Sequence, residues 1–393
     1  MCGVGSARKV YAKKTNLFST NDTMYLNMKN KQHQLINDSQ TIRDLCAKAN
    51  LLGVIGLDTE FMREKAYFAK LCLVQLSIQD EYFLIDTIAL NNDDDAYQCL
   101  AELISNPKVI KIIHSSSQDI EVLSQFFNIQ PRAIFDTQIA AGFCGYDGQI
   151  GYANLVMSVC DIELDKSQTR TNWLQRPLSQ QQLDYAVNDV VYLQALYEKF
   201  INELNHLQRH EWFMEECELI VQASIENQDP ANAYRRMNGS HLPLKNQHLL
   251  VFLSKLREQN AQLSDKPRPW ILKDADIYTI ANALPKNHQS LFSLGISGGF
   301  VQRNADSIIQ FVQNIEDKPT MLWPAVQPFT PEQKAQVKKC SKKLSEISEN
   351  KGVSRNLIAN RKDIESYVGG RGARFEHGWR SQLVGDELLR LLT

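Results

Sequence analysis

The spacing of apolar residues divides the chain into an N-terminal half that mixes strands with helices and a C-terminal half that is helical. TIRDLCAKANLL has apolar residues at helical spacing and ends at Gly53, and VIGLDTEFM then predicts a strand. KLCLVQLSIQ and EYFLID predict two further strands with a short connection. Three strands in succession with short connections indicate an antiparallel meander.

Helices and strands alternate after this meander. NNDDDAYQCLAELISN predicts a helix with acids at its N-terminal end, where the helix dipole favours them. VIKIIHSSSQDIEVLSQFFN and PRAIFDTQIAAGFCGY each predict a buried strand that turns into a helix, and GYANLVMSVCDIEL predicts another helix. Asp136 is predicted to cap its helix, with support of a nearby site as the lesser alternative. SQQQLDYAVNDVVYLQALYEKFINEL predicts one long helix.

Beyond Phe200 the patterns are helical. QRHEWFMEECELIVQASIEN predicts a helix that connects domains, and two or three helices separated by a DKPRP turn are predicted after it. The segment from about Ala325 to the end contains 13 Lys and Arg against 8 Asp and Glu, a net charge of +5 in a chain of net charge −2. This local positive charge indicates either a surface that binds RNA phosphates or a solvated helix surface.

Length and composition restrict the class of protein. A chain of 393 residues with 43% apolar and 22% charged residues is expected to form two or three domains. No apolar run reaches the roughly 20 residues that span a bilayer, and no apolar stretch follows the basic N-terminus. The eight cysteines contain no CxxC pair, which suits reduced core thiols better than a zinc site. We therefore expect a cytoplasmic protein without membrane association, in which residues 1–23 are a disordered leader or an over-long start.

Two acids in the first predicted strand are the first sign of chemistry. Asp58 and Glu60 lie two positions apart, and side chains two apart on a strand share a face, whereas Thr59 points to the other face. Two like charges this close repel each other unless a cation lies between them. The alternative is a solvated edge strand that carries acids, but the run before Asp58 is very apolar for an edge.

Two further stretches carry candidate residues. Asp119 falls in the first turn of a helix that follows a strand, where α/β sheets build their sites, although a helix-start role is an equal alternative. His114 at the same strand end is expected to be a hydrogen-bonded structural residue rather than a ligand. Tyr185 and Asp189 are four apart and share one helix face. On its own, this pair is more typical of an ordinary helix surface.

The polar stretch DKSQTRTNWLQRPLSQ combines cations with an aromatic residue. Such a combination suits contacts to phosphates and a base. An ordinary loop in which the tryptophan anchors the chain to the core explains it equally well. The candidates for substrate contacts are Lys166, Arg170, Trp173 and Arg176.

Taken together, DTEF, HSSSQDIEVL and SQQQLDYAVNDVVYL, with DKSQTRTNWLQRPLS between the last two, closely resemble ribonuclease D and the wider DEDD superfamily of 3′→5′ exonucleases. The resemblance extends from about Asp38 to Phe200. It implies an α/β RNase H-like fold, in which a mixed sheet of three antiparallel strands followed by parallel ones is flanked by helices. It also implies that four acids coordinate the metal ions: Asp58, Glu60, Asp119 and Asp189. The same four acids and Tyr185 are the implied catalytic residues.

The chemistry of these residues agrees with the resemblance. Four carboxylates supply the hard oxygen ligands that Mg²⁺ or Mn²⁺ prefers. Two such ions about 3.5–4 Å apart activate the attacking water and stabilise the leaving 3′ oxygen. Tyr185 is expected to orient that water. The resemblance implies that the residue four positions before the last acid sets the subclass, and here that residue is Tyr185. With no histidine between His114 and His206, the chain resembles the tyrosine subclass of the superfamily.

The C-terminal half resembles a second family. LREQNA, PRPWILKDADIYTIA and SLGIS occur in the order found in the HRDC domain, a helical module of RecQ-type helicases and ribonuclease D that helps to hold nucleic acid. We therefore expect an exonuclease domain at 24–205, a connecting helix at 206–237, and two all-α HRDC-type bundles. The first bundle spans 238–319, and the second, a divergent HRDC-like domain, spans 325–393.

The resemblance implies a monomeric exoribonuclease that releases 5′-mononucleotides from RNA 3′ ends and trims the 3′ trailers of tRNA precursors. Two other functions are open on the sequence. One is a DNA 3′→5′ exonuclease of the same superfamily. The other is a non-catalytic RNA-binding protein, against which the presence of all four acids and the tyrosine speaks. The HRDC modules also have an alternative role in recruiting protein partners.

Overall fold

The sheet of the N-terminal half is mixed. The computed structural model describes residues 33–90, 93–164, 171–296, 298–315, 323, 328–389 and 391. Within them one sheet has the strand order β1-β4-β3-β2-β5-β6. β2, β3 and β4 pair antiparallel, whereas β1 joins β4 and β5 and β6 extend from β2 in parallel. The strands are β1 (His33–Ile36), β2 (Val54–Met62), β3 (Lys70–Ile78), β4 (Glu81–Ile85), β5 (Ile110–Ile113) and β6 (Ile134–Asp136).

This sheet confirms the predicted arrangement of three antiparallel strands followed by parallel ones. The edge strand β1 was not predicted, because its four residues, HQLI, are too few to give a pattern.

The helices of the N-terminal half flank the sheet. They are α1 (Ser39–Leu52), α2 (Asp94–Ser105), α3 (Ser117–Phe127), α4 (Thr137–Phe143), α5 (Tyr152–Cys160), α6 (Gln180–Val191), α7 (Leu193–His206) and α8 (His210–Glu226).

The C-terminal half is helical, as predicted. Its helices are a 3₁₀ segment (Pro230–Arg236), α9 (Leu244–Leu263), α10 (Arg268–Ile271), α11 (Asp274–Ala283), α12 (His288–Phe292), α13 (Gly299–Gln313), α14 (Pro331–Lys351), α15 (Arg355–Ile358), α16 (Arg361–Val368), a 3₁₀ turn (Arg374–Glu376), α17 (Gly378–Arg380), a π segment (Ser381–Gly385) and α18 (Asp386–Leu389). In the described parts of the chain, no helix is both long enough and apolar enough to cross a membrane.

The two faces of the sheet bury different apolar clusters. Ile55 and Leu57 of β2 point to the cluster formed with α1, α2 and α3. The other face packs against α6 and α7, and there Gly56 lets the chain approach closely. A Cβ at Gly56 would lie 3.2 Å from the Cβ of Leu193 and 2.2 Å from the Oγ of Ser77. The acids Asp58 and Glu60 share this second face because side chains alternate along a strand.

The prediction of one long helix from SQQQLDYAVNDVVYLQALYEKFINEL is wrong in one respect, because the helix is interrupted at Tyr192. Here the hydroxyl of Tyr152 donates to the carbonyl of Asn188 (3.2 Å) and accepts from the amide of Tyr192 (3.3 Å). In an uninterrupted helix this amide and this carbonyl would bond to each other. A side chain from α5 is therefore inserted into the hydrogen-bond ladder, which is a recognised cause of helix kinks.

The helices α9 to α13 enclose a core of their own, which includes Leu253 and Ile308. This helical unit is joined to the loop after β2 by a polar network around the buried carboxylate of Glu258. Glu258 accepts from the Tyr67 hydroxyl (2.6 Å) and from Arg268 (2.6 Å), and Asp265 accepts the backbone amide of Tyr67 (2.9 Å). The loop that follows β2 is thereby fixed against the helical unit.

The last segment, expected as a separate HRDC-like domain, shares an apolar core with helices that flank the sheet. Its Leu344 and Trp379 belong to the same apolar cluster as Phe143 and Phe213 of α4 and α8. A hydrogen bond from the backbone amide of Ser354 to the carbonyl of Gly142 (2.8 Å) also joins the two. The C-terminal helices are thus part of the body that carries the sheet.

A buried ion pair lies in this shared core. Glu216 of α8 and Arg380 are 8% and 4% exposed, and their charged atoms lie 2.6 Å apart. The indole of Trp379 donates to the same carboxylate (2.8 Å). Both charges are therefore satisfied within the protein.

Replacing Glu216 by Gln should lower the free energy of unfolding by about 3–5 kcal/mol, because the buried charge of Arg380 loses its partner. Urea denaturation measures this difference. The control is Glu346→Gln, which breaks an exposed pair with Lys342 and should change the free energy of unfolding by less than about 1 kcal/mol. Equal stability of Glu216→Gln and the wild-type protein would contradict a shared core held by this pair.

Candidate active site

A cleft of about 680 Å³ lies where β2 and the end of β5 meet α3, α5 and α6. The four acids and the tyrosine singled out in the sequence all line it: Asp58, Glu60, Asp119, Tyr185 and Asp189. Residues that are up to 131 positions apart in the chain are thus brought to one concave surface.

Three of the acids form a compact group. Asp58 and Glu60 project from one face of β2, and Asp189 reaches them from α6. One carboxylate oxygen of each lies within 4.8 Å of the others. Oxygens at these distances can share a cation, and carboxylate oxygens are the ligands that Mg²⁺ and Mn²⁺ prefer.

Asp119 enters the cleft from another direction and is not part of this group of three. It lies in the first turn of α3, on the opposite side of the sheet from α6. Its Oδ1 accepts a hydrogen bond from the hydroxyl of Thr59 (2.5 Å), the residue between the two acids of β2. Because Thr59 points to the opposite face, it ties α3 to the strand that carries Asp58 and Glu60.

Burial raises the pKa of each of the four acids, and the charges of neighbouring acids add to this effect. Burial, with the charges of Asp119, Asp189 and Glu60, raises the pKa of Asp58 well above its usual range. Burial, with the charges of Asp189 and Asp119, raises the pKa of Glu60 to about 9. Burial likewise raises the pKa of Asp189 to about 7 and that of Asp119 to about 6. Ionised acids are therefore costly here without a compensating cation.

Tyr185 lies one helical turn before Asp189 and donates a hydrogen bond to its carboxylate, which acts to lower the pKa of Asp189 against the effect of burial. The ring of Tyr185 lies 6.1 Å from that of Trp173, between centroids. Helix spacing brings the hydroxyl and the carboxylate together, and the neighbouring indole supports the tyrosine ring. The pair can orient a polar group in the cleft.

Asp136 holds the turn that leads to Asp119. Its carboxylate caps α4 and also accepts from the backbone amides of Ser115 (3.1 Å) and Ser116 (2.7 Å). Ser115 adopts a left-handed backbone conformation (φ 58°), which is unusual for a residue other than glycine. Asp136 therefore has both roles considered for it: it is a helix cap, and it supports the turn next to the cleft.

His114 lines the cleft, but both ring nitrogens are engaged. Nδ1 lies 2.9 Å from the hydroxyl of Thr137, and Nε2 lies 3.1 Å from the carbonyl of Ile150. A carbonyl can only accept, so Nε2 carries the proton and Nδ1 accepts from Thr137. Burial lowers the pKa of His114, which favours this neutral form. The structural role expected for His114 agrees with this geometry.

The structure places the predicted substrate-contact residues in different environments. Lys166 and Arg170 lie outside the described residues. The guanidinium of Arg176 forms a bidentate ion pair with the carboxylate of Asp86 (2.6 and 2.7 Å). It also donates hydrogen bonds to the backbone carbonyls of Cys72, Trp173 and Gln175. This arrangement uses its five N–H groups and leaves none for a phosphate. Arg176 therefore anchors the loop rather than binding RNA.

Trp173 is only 2% exposed, although an edge of it contributes to the wall of the cleft. This burial favours the second alternative for the polar stretch, in which the tryptophan fixes the loop to the core.

Sequence reasoning missed two residues that shape the cleft. Thr59 was placed on the other face of β2, and the helix that packs there, α3, was not foreseen as its partner. Tyr152 was seen only as part of a helix, and no local pattern indicates that its hydroxyl reaches α6. Both contacts depend on packing between segments that are far apart in the sequence.

Comparison with known proteins gives two family matches. Residues 33–205 match a 3′-5′ exonuclease family, and residues 247–312 match the HRDC domain. A ribonuclease D from Jannaschia sp. (strain CCS1) is 32% identical over 373 residues, which are 91% of this chain and 94% of the relative. A ribonuclease D from Shewanella sp. (strain ANA-3) is 30% identical over 369 residues, again 91% and 94% of the two chains.

The fold also matches a solved structure over almost its whole length. The crystal structure of Escherichia coli RNase D, described as an exoribonuclease involved in structured RNA processing, superimposes with a TM-score of 0.76 at 27% sequence identity. The match covers 92% of this chain and 98% of that one.

The raised pKa of Glu60 predicts how the metal-free protein responds to pH. A glutamate pKa of 4.5 raised to about 9 by folding means that the folded state binds the proton more tightly. The contribution of Glu60 to stability is then fully present below pH 4.5 and is lost as the pH rises towards 9. Glu60→Gln carries no charge, so with a chelator present its melting temperature at about pH 8 should exceed that of the wild-type protein by at least roughly 2–4 °C.

The difference in melting temperature between Glu60→Gln and the wild-type protein should shrink at about pH 5. At that pH Glu60 is protonated in the folded state and close to its pKa in the unfolded state. Calorimetric melting in a chelating buffer measures this difference, and Glu64→Gln, an exposed acid in the loop after β2, is the matched control. A variant Glu60→Gln less stable than the wild-type protein at about pH 8 would contradict the raised pKa of Glu60.

Proposed function

The chain belongs to the ribonuclease D family and is a 3′→5′ exoribonuclease, and from this premise we propose that it cuts RNA with two divalent metal ions and trims the 3′ trailers of tRNA precursors. Each cut releases a 5′-mononucleotide. The observation that carries the proposal is the convergence of Asp58, Glu60 and Asp189 within 4.8 Å, in the same cleft as Asp119 and Tyr185.

The acids fit Mg²⁺ or Mn²⁺. The ligand set is composed of oxygen, and burial with mutual repulsion leaves the carboxylates in need of positive charge. When bound, two such ions supply an activated water and stabilise the leaving 3′ oxygen of the phosphodiester. Asp58, Glu60 and Asp189 would hold them, together with Asp119, which Thr59 keeps in place.

Tyr185 would orient the attacking water. Its hydroxyl is held beside the carboxylate of Asp189 by their hydrogen bond. A tyrosine hydroxyl generally keeps its proton at neutral pH, so orientation is a better role for it than removal of a proton.

The remaining parts of the chain would deliver RNA. We assign residues 24–205 to the exonuclease domain, 206–237 to the connection and 238–319 to an HRDC domain. Residues 325–393 are assigned as a divergent HRDC-like segment that packs on the core of the exonuclease domain. Three exposed lysines at four-residue spacing on α14 give the last segment a positively charged face: Lys334, Lys338 and Lys342. Because this segment shares a core with the exonuclease domain, its charge would attract phosphates from a fixed position. Lys166 and Arg170 remain predicted phosphate contacts.

Digestion of a tRNA precursor that carries extra 3′ nucleotides tests the proposal. With Mg²⁺ the wild-type protein should shorten the precursor from its 3′ end and release 5′-mononucleotides, and a chelator should stop the reaction. Asp189→Asn should fold normally but lose at least about 100-fold in rate, because it removes a metal ligand. Gel resolution of products by length and circular dichroism of the variant measure both results.

The matched control is Asp184→Asn, an exposed acid on the same helix, which should keep full activity. Near-normal turnover by Asp189→Asn would overturn the site assignment. Shortening of unstructured RNA without trimming of the tRNA precursor would overturn the substrate assignment alone. Preferential digestion of a DNA oligonucleotide of the same sequence would instead favour the alternative, a DNA 3′→5′ exonuclease of the same superfamily.

Tyr185→Phe separates water orientation from metal binding. The rate should fall by about 10–100-fold, because the ring remains but the hydroxyl beside Asp189 is lost. Titration calorimetry with Mn²⁺ should show that binding is retained, with an affinity lowered by no more than about tenfold, since the four carboxylates remain and Asp189 loses one hydrogen bond. An unchanged rate would exclude an orienting role for the hydroxyl.

A further inference from the structure

The interruption between α6 and α7 lies next to the candidate metal ligand on α6. Asp189 follows Asn188, whose carbonyl accepts from Tyr152, and precedes Tyr192, whose amide donates to the same hydroxyl. The hydroxyl therefore bridges the two backbone groups on either side of Asp189. Tyr152 itself lines the catalytic cleft.

The position of Tyr152 is fixed independently of α6. Tyr152 is the first residue of α5, and the carbonyl of Ile150, just before it, accepts from His114 (3.1 Å) and from the side chain of Gln138 (3.0 Å). The ring of Tyr152 also packs 5.4 Å from that of His114, between centroids. The hydroxyl is thus presented to α6 from a rigid support at the end of β5.

The two helices on either side of the interruption have different partners. Before it, α6 carries Tyr185 and Asp189 towards the acids of β2. After it, Leu193 packs on β2 opposite Gly56, where an added Cβ would lie 3.2 Å from the Cβ of Leu193, two residues before Asp58. A hydroxyl inserted into the ladder separates the amide and the carbonyl that would otherwise bond, and so changes the direction of the helix.

We infer that Tyr152 is a positioning residue. Its hydroxyl keeps the amide of Tyr192 apart from the carbonyl of Asn188. This separation orients Asp189 towards Asp58 and Glu60, while α7 remains packed against Gly56. This inference rests on the proposed function, because it assigns Asp189 as a metal ligand. In this role Tyr152 acts through the backbone of Asn188 and Tyr192.

Tyr152→Phe tests the inference, since it keeps the ring and its packing against His114 and removes only the hydroxyl. In the full chain without RNA, titration calorimetry should show a dissociation constant for Mn²⁺ that is raised by about tenfold or more, the effect typical of residues that orient metal ligands. On a single-stranded RNA, kcat should fall by a similar factor while KM for RNA changes by less than about twofold. Raised Mn²⁺ should restore part of kcat.

The matched control is Tyr197→Phe, which removes a hydroxyl from α7 beyond the interruption, where the ring packs edge-on against Phe135 at 4.8 Å. It should leave the affinity for Mn²⁺ and kcat unchanged. A residue that only fills space would lower the melting temperature in Tyr152→Phe without changing either quantity, and that result would overturn the inference.

Failure of the inference is distinguishable from failure of the proposed function. If the wild-type protein itself binds no Mn²⁺ and digests no RNA, the metal mechanism is wrong whatever Tyr152 does. If the wild-type protein is a metal-dependent nuclease and folded Tyr152→Phe matches it in Mn²⁺ affinity and kcat, only the role of Tyr152 is wrong.

Discussion

Repulsion among carboxylates is the constraint on which this architecture depends. Asp58, Glu60 and Asp189 place oxygens within 4.8 Å of one another, and Asp119 adds a fourth charge to the same cleft. Like charges in a partly buried site oppose folding, as the raised pKa of Glu60, caused by burial and by Asp189 and Asp119, indicates. The surrounding structure must therefore hold these groups together until cations compensate them.

Two of the acids, Asp119 and Asp189, are held in place by hydrogen bonds around them. Asp119 accepts from Thr59, which links α3 to β2, and Asp136 fixes the turn before α3. Tyr185 donates to Asp189, and Tyr152 interrupts the helix that carries both. Rigid support of this kind is what places ligands accurately enough for metal catalysis. The C-terminal helices add to it, because they share the core beneath α4 and α8.

The sequence was sufficient for the parts that depend on local periodicity. Strand alternation predicted that Asp58 and Glu60 share a face, and helix spacing predicted that Tyr185 and Asp189 do. The sequence was insufficient for the features that depend on packing between segments far apart in the chain. The interruption at Tyr192 depends on a hydroxyl 40 residues away. Arg176 looked like a phosphate ligand, but Asp86, 90 residues earlier, takes its charge. A helical pattern likewise cannot tell whether the last segment packs on itself or, as here, on the exonuclease domain.

The central claim is that four acids on three segments hold two divalent ions. Anomalous diffraction from crystals of the full chain soaked in Mn²⁺ tests this claim most directly, because it counts the ions and identifies their ligands. The account predicts two peaks in the cleft, coordinated by Asp58, Glu60, Asp119 and Asp189. A single peak at saturating Mn²⁺, or no peak among these carboxylates, would contradict it.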